Sequence, residues 1–412
     1  MQLVEQHIIS KTDPRFTLID QAAFLSKNLY NAANYLVRQS FIFEHRYIPY
    51  PQLDKLMKRS PDYCALPRKV SQWVLRQLDH DWQAFFAANR AYQENPAAFM
   101  GRPRLPHYKH KTQGRNLLTY TIQAISKRGL ERGVVHPSRL AIEVPTRHST
   151  LQQVRIVPHK THYTVEVVYE QSPQPAEHLN PEWYAGIDIG LDNLATVTSN
   201  KPGSVPVVVN GRPLKSINQY YNQRRAELQA RLPVGGSSKR LDRLTDRRNR
   251  RIRYELHLAS RRIIEWLVRE RIGTLIIGKN DGWKQAINLG RRTNQNFVFI
   301  PHARFIEMLT YKAGLVDIRV IVREESYTSK CSFLDLEPIE KRETYLGRRV
   351  HRGLFVSSHG RRIQADVNAG YNIIRKEAPC AFDAAGVEGV VVRPVRLVLT
   401  KPKTRKYGPG NS

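Results

Sequence analysis

The second half of the chain sets apolar runs in an order that few folds accept. WYAGIDIG (183–190), NLATVTSN (193–200) and VPVVVNG (205–211) follow one another with only short turns between, and read as three consecutive strands. A long helical region follows, from about 214 to 270, broken near Pro233-Val234-Gly235-Gly236. Next come the apolar run TLIIGKN (274–280), the helical RFIEMLTYKAG (304–314), the strand DIRVIV (317–322), an irregular stretch, and the helical DVNAGYNIIRK (366–376). Three strands, a helix, and further strands alternating with helices predict a mixed α/β sheet flanked by helices.

The first half reads differently. Residues 1 to 9 form a strand pattern; Leu18, Ala22, Leu25, Leu29, Ala32 and Leu36 then recur at helical spacing. A second amphipathic helix runs through Val70, Val74, Leu78, Trp82 and Phe85. GRPRLPHYKHKTQGR (101–115) is basic and broken by prolines, so it is expected to lie irregularly along the surface. LQQVRIV and YTVEVVYE alternate like a two-stranded ribbon, and QSPQPAEHLNPEW (171–183) is the clearest linker.

The chain holds 66 Lys and Arg against 36 Asp and Glu, a formal charge of +30. A surplus that large acts on partners more than on fold, and nucleic acid is the partner it suits. No stretch approaches the roughly 18 consecutive apolar residues of a membrane span, and the N-terminus MQLVEQHIIS lacks the layout of a signal peptide. A cytoplasmic, nucleoid-associated protein without a membrane partner is the expectation. Cys64, Cys331 and Cys380 are scattered and form no Cys-x-x-Cys pair, which excludes a disulfide framework. Residues 239 to 253 carry Lys239, Arg240, Arg243, Arg247, Arg248, Arg250, Arg251 and Arg253 against Asp242 and Asp246. That segment is charged on nearly every face, and a helix lying against phosphates is the reading. Arg102, Arg104, Lys109 and Lys111 are the other candidates for nucleic-acid backbone contact.

Asp188 ends the apolar run of the first strand of this half, where a lone carboxylate is costly unless a cation accompanies it. Asp366 opens a helix, and taken alone it is also a helix N-cap. Together, a strand Asp early in an α/β domain and a helix Asp late in it can meet at one sheet edge. With a third carboxylate they would hold two Mg²⁺ ions for phosphodiester cleavage.

The motifs GIDIGLDNLATVTSN (186–200), YTSKCSF (327–333) and ADVNAGYNII (365–374) resemble the RuvC motifs and C-terminal signature of the TnpB family, transposon-encoded RNA-guided endonucleases related to type V CRISPR effectors. The likeness extends over essentially the whole chain, through EQHIIS, LYNAANYLVRQSFI and GRPRLPHYKHK. It implies an RNase H-like nuclease domain over 179–412, interrupted at 326–364 by a zinc-ribbon-like segment. It also implies a β wedge domain from 1–15 and 105–178, and a helical recognition insertion over 16–104. Asp188 matches the first RuvC acid and Asp366 the last. The implied partners are a guide RNA of the ω type and target double-stranded DNA.

Two departures stand out. The strand that should end in the middle Glu reads LIIG, placing Gly278 there, and glycine cannot ligate a metal. Three replacements are open: Asp281, in a turn-like Asn280-Asp281-Gly282, and Glu324 and Glu325, which end the next strand. Neighbours on a strand point to opposite faces, so at most one of that pair reaches the metal, and Glu325 is the one favoured. The catalytic and metal-binding set is thus Asp188, Glu325 and Asp366, with Mg²⁺ or Mn²⁺ as cofactor. An incomplete site would leave a nuclease-dead RNA-guided repressor. The four zinc positions fall on Cys331, Leu334, Val356 and His359, so no tetrahedral structural zinc is expected. Apolar packing by Phe333, Leu334, Leu354 and Phe355 is expected to hold that region, with Cys331 a packed thiol.

Overall fold

The computed structural model describes residues 1–280 and 300–399. The chain divides into two compact units, Met1–Gln171 and Ser172–Ser412.

In the first unit, β1 (Gln2–Ser10) pairs antiparallel with β4 (His162–Glu170). β4 pairs antiparallel with β3 (Gln153–Pro158), and β3 with β2 (Leu118–Thr121), giving a four-stranded sheet. Two long helices sit between β1 and β2 in the chain: α1 (Phe16–Phe43) and α2 (Arg68–Glu94). The α2 stripe Val70, Val74, Leu78 and Trp82 is buried as its spacing predicts. On α1 the buried face is Ile19, Ala22, Ala23, Ser26, Leu29, Tyr30, Ala33 and Val37, while Leu18 and Leu36 are exposed. The predicted stripe holds at Ala22 and Leu29, with Leu25 and Ala32 partly buried against the core, while its ends at 18 and 36 face outward. The polar residues Ser26 and Asn34, which a hydrophobic count overlooks, take core positions because they bond inward: Ser26 Oγ donates to Leu117 O at 2.8 Å and Asn34 accepts from Trp82 Nε1 at 3.1 Å.

Residues 101–115 form no regular element for most of their length, as their prolines require. The segment is strapped to α1 by side chains that satisfy its backbone. Asn34 Nδ2 donates to Pro106 O at 3.0 Å, Asn31 Nδ2 to Lys109 O at 2.8 Å, and Lys27 Nζ to Lys111 O at 2.7 Å.

The second unit is built on a six-stranded mixed sheet. β5 (Asn180–Asp188), β6 (Asn193–Ser199) and β7 (Val207–Asn210) are the three consecutive strands, and they pair antiparallel. α3 (Arg212–Gln229) and α4 (Lys239–Arg269) lead to β8 (Ile272–Gly278), which runs parallel beside β5. α5 (His302–Leu315) leads to β9 (Arg319–Arg323), parallel beside β8. The sheet order is β9-β8-β5-β6-β7 with a last short strand, Val395–Arg396, beside β7.

Both faces of this sheet are covered, and alternation along β8 shows how. Leu275 and Ile277 enter one core with α4 and α5, while Ile276 enters another with the C-terminal helix α6 (Ala365–Glu377). The segment expected to be irregular before α6 contains a three-stranded antiparallel sheet of β10 (Arg348–His351), β11 (Leu354–Val356) and β12 (Arg362–Ile363). These strands are too short for periodicity to reveal.

The segment 239–253, expected to be too charged all round to pack, is the first half of the 31-residue α4 and buries Leu241 and Ile252. Two apolar residues in phase with Leu256, Ala259 and Ile263 suffice to seat it, with α3 packed alongside. Among the described residues, no helix is long and apolar enough to cross a membrane.

Candidate active site

Asp188 is the last residue of β5 and Gly278 the last of β8. The register that pairs Ile277 with Ile187 carries the two to the same level on adjacent parallel strands. Alternation turns Asp188 to the face of Gly186, the face covered by α6.

The approach of α6 to that face is set by two glycines. A Cβ on Gly186 would collide with the carbonyl oxygen of Gly370, and a Cβ on Gly370 would stand 2.8 Å from Thr198 Cγ2. Backbone therefore meets backbone, and Asp366, one turn before Gly370, is drawn in toward the end of β5. Asp366 is not the helix cap: Gln364 is, its side chain accepting from Val367 N at 2.7 Å. That frees the Asp366 carboxylate. Its Oδ2 accepts from Asn193 Nδ2 at 2.8 Å and from Gln364 Nε2 at 3.1 Å, and Arg349 of β10 lies 3.6 Å from Oδ1.

The third acid comes from the neighbouring strand. β9 lies beside β8 with Arg323 opposite Gly278, and Glu325 follows two residues on. A Cβ placed on Gly278 would strike Glu325 Oε2 and would stand 2.7 Å from Ile373 Cδ1. The Glu325 carboxylate thus fills the space a side chain at 278 would need. Asn280 brackets it, donating from Nδ2 to Oε1 at 3.3 Å and accepting from the Glu325 backbone N at 3.3 Å. Glu325 Oε2 is buried without a hydrogen-bond partner, an arrangement that leaves a lone pair available. Glu324 is turned elsewhere: it is exposed and accepts from Lys376 Nζ at 2.5 Å and from the Ser326 hydroxyl. Asp281 lies outside the described residues.

Electrostatics report the same convergence. Burial raises the Asp188 carboxyl well above its usual range, and the charges of Asp366 and Glu325 push it further; Arg349 offsets part of this. Burial pushes Glu325 up to about 7, with Glu324 adding and Lys376 opposing. A buried carboxyl raised by two neighbouring acids, as Asp188 is, sits in a place short of positive charge. An all-oxygen donor set with one unpartnered oxygen fits a hard divalent cation. Among the described residues no three Asp, Glu, His or Cys groups stand close enough to form a finished metal cage.

The turn after β9 is pinned to α6. Asn372 Nδ2 donates to Thr328 O at 2.9 Å and Cys331 O at 2.8 Å, and Asn368 Nδ2 donates to Cys331 O at 2.9 Å. Both asparagines are fully buried, so the motifs YTSKCSF and ADVNAGYNII hold each other.

In the segment matched to a zinc ribbon, Cys331 is buried and its thiol reaches Glu340 O at 3.8 Å; Leu334 is buried and His359 exposed. Phe333, Leu334 and Phe355 pack with Ile363 and Tyr371, whereas Leu354 stays outside that core. A residue the sequence did not single out, Glu337, is 1% exposed and accepts from Ser332 N at 2.7 Å and Leu346 N at 3.0 Å, tying two loops together.

The basic candidates divide. Arg240, Arg243, Arg247, Arg250 and Arg251 are exposed, as are Lys239, Arg102, Arg104 and Lys111. Arg248 is not free for a phosphate: it packs over the Tyr221 ring, and its Nε donates to Asn218 Oδ1 at 2.9 Å. Lys109 is also engaged, its ammonium 4.6 Å from the Tyr30 ring centre and its pKa lowered by burial.

A family model described as a probable transposase (OrfB_IS605) matches residues 163–284, and one described as a Cas12f1-like TNB domain matches 302–373. The TnpB-like protein ORF457 of Acidianus two-tailed virus is 22% identical over 426 residues, covering 92% of this chain and 85% of that protein. The chain is thus similar to a TnpB-like protein along most of its length. Solved structures of similar outline include a Cas12f1–sgRNA–target DNA complex, at 12% identity and TM-score 0.36 over 90% of this chain and 98% of that one. Another is the mini-RNA-guided endonuclease Cas_phi3, at 9% identity and TM-score 0.41 over 96% of this chain and 93% of that one. Asp188 and Asp366 stand in motifs legible from sequence. Asn193, Arg349 and Asn280 do not announce themselves, because each owes its place to a partner distant in the chain; Asn193 and Asn280 lie inside quoted runs, but nothing local marks their roles.

Proposed function

We propose that this protein is an RNA-guided DNA endonuclease that cuts target DNA next to a short adjacent motif. Its site is of the RuvC type on an RNase H-like sheet, with Asp188, Glu325 and Asp366 as metal ligands. The observation that carries the reading is the Glu325 carboxylate lying against Gly278, at the level of Asp188. Similarity to a TnpB-like protein and to the transposase and Cas12f1-like TNB domain models supports the RNA-guided nuclease class.

Asp188 and Asp366 would bind from strand and helix, and Glu325 would supply its unpartnered Oε2. Two bound Mg²⁺ or Mn²⁺ ions would generate a nucleophile from water at neutral pH and stabilise the leaving oxygen. Asn193 and Gln364 hold the Asp366 carboxylate in one orientation, leaving Oδ1 toward Arg349. Arg349 is suited to a phosphate oxygen, since its guanidinium can bind two at once. Residues 1–15 and 105–178 would form the wedge, 16–104 the recognition domain. Guide pairing would read sequence, while exposed basic residues such as Arg243, Arg247 and Arg250 contact backbone.

The test is cleavage of a matched plasmid by protein purified with its co-expressed RNA, with Mg²⁺. Asp188→Ala and Glu325→Ala should abolish cutting while leaving RNA binding intact, and Glu324→Ala should cut. Full activity in Glu325→Ala would return the third ligand to Asp281. A second reading, a nuclease-dead RNA-guided repressor, is favoured by the absence of a finished metal cage among the described residues. Guide-dependent binding with no cleavage by the wild type would establish it.

A further inference from the structure

The β10–β11 hairpin carries Arg349 to the acid site, yet its strand β10 is exposed along its whole length. Something other than core packing must fix it. Its turn is held at two points. Ala365 N, at the start of α6, donates to Gly353 O at 3.3 Å. On the other side Arg352 forms an ion pair with Asp192 Oδ2.

Asp192 lies in the turn that joins β5 to β6, between Asp188 and Asn193. It touches neither Asp188 nor Asp366 by any ion pair or hydrogen bond among the described residues. Its Oδ1 accepts from Lys215 Nζ of α3 at 2.5 Å, and its carbonyl oxygen accepts from Gly211 N at 2.8 Å. One carboxylate thereby joins the β5–β6 turn, the start of α3 and the tip of the hairpin. Only Val350 and His351 separate Arg352 from Arg349, so a displacement at the tip is passed to the guanidinium facing Asp366.

Resting on the nuclease reading above, we propose that Asp192 is a positioning residue. It clasps the hairpin through Arg352 and so sets Arg349 at Asp366, where a target-strand phosphate would be received. The clasp is polar and partly exposed, with the Asp192 side chain 28% and Arg352 70% accessible, so it holds position without contributing much to global stability.

The experiment uses the full chain with its RNA. Single-turnover cleavage at saturating target should slow by about 10- to 100-fold in Asp192→Ala, the scale of a misplaced catalytic neighbour. Target affinity and melting temperature should stay near wild type. Arg352→Ala should match it, and the double variant should be no slower than either single variant, because both remove one contact. Asp192→Glu should recover much of the rate. Limited trypsin digestion after Arg348, Arg349 and Arg352 should accelerate in Asp192→Ala. Wild-type cleavage in Asp192→Ala, or additive losses in the double variant, would overturn the proposal. If the wild type does not cut at all, the nuclease reading fails, and unchanged trypsin sensitivity of the hairpin would then overturn the clasp by itself.

Discussion

The carboxylate of Glu325 occupies the space beside Gly278 that a side chain on Gly278 would take. Side chains at these two positions, one at the end of β8 and one just past the end of β9, are thus mutually exclusive, and this relationship can be tested from both sides. Gly278→Ala should displace Glu325 and press on Ile373, costing about 1–3 kcal/mol of stability by overpacking and at least about 10-fold in cleavage. Combining Gly278→Glu with Glu325→Ala should restore part of the cutting that Glu325→Ala alone loses. Plasmid cleavage and thermal melting of the three variants read both effects.

The Gly186–Gly370 contact should resist enlargement. Alanine in place of Gly370 gains up to about 1 kcal/mol of helix propensity, but its Cβ must displace Thr198, and overpacking of about 1–3 kcal/mol outweighs that gain. In Gly186→Ala the obstacle is a carbonyl oxygen, which cannot rotate away, so this variant should lose more. Melting temperatures should fall in both, with Gly186→Ala the lower.

His257 predicts an acid-side loss of stability. It lies on α4, with its carbonyl accepting from Lys312 Nζ at 2.7 Å. Burial lowers its pKa to about 4, aided by Lys312, Arg253 and Arg304. The unfolded chain, with an ordinary His near 6.5, therefore binds more protons through the window from about 4 to 6.5. Stability is complete above that window and falls as pH drops through it, by about 1–2 kcal/mol for a half-buried group. Urea unfolding at pH 7 and pH 5 should show the drop in wild type and a smaller one in His257→Gln.

The basic face of α4 separates two kinds of arginine. Replacing exposed Arg243, Arg247 and Arg250 by Gln should weaken nucleic-acid binding and reduce the slope of log K against log salt by about 2. Arg248→Gln should leave that slope unchanged and lower the melting temperature, because Arg248 serves Tyr221 and Asn218. A binding titration across salt concentrations distinguishes them.

The sequence disclosed those features whose signal is local. Strands β5 to β7 and helix α2 follow from periodicity, and the alternation of strands and helices after them follows from the order of apolar runs. Asp188 and Asp366 lie within short motifs. The α1 face was misjudged because Ser26 and Asn34 are buried by hydrogen bonds across the chain, and hydrophobic spacing cannot register those. The packing of 239–253 was hidden because two apolar residues among many charges look negligible until the helix is extended to Arg269. The choice of Glu325 over Glu324 was suggested by strand ends but rests on Lys376, which takes Glu324 away, and on Asn280, which holds Glu325.

The buried asparagines Asn368 and Asn372 carry a mechanical consequence. They bolt the loop after β9 to the helix that bears Asp366, while Asn280 ties Glu325 of that same loop to the end of β8. Glu325 is therefore the hinge pin between sheet and helix, and any breathing of α6 against β5 pulls on the loop that carries it. The glycine pair Gly186 and Gly370 sets how closely the two sides can shut.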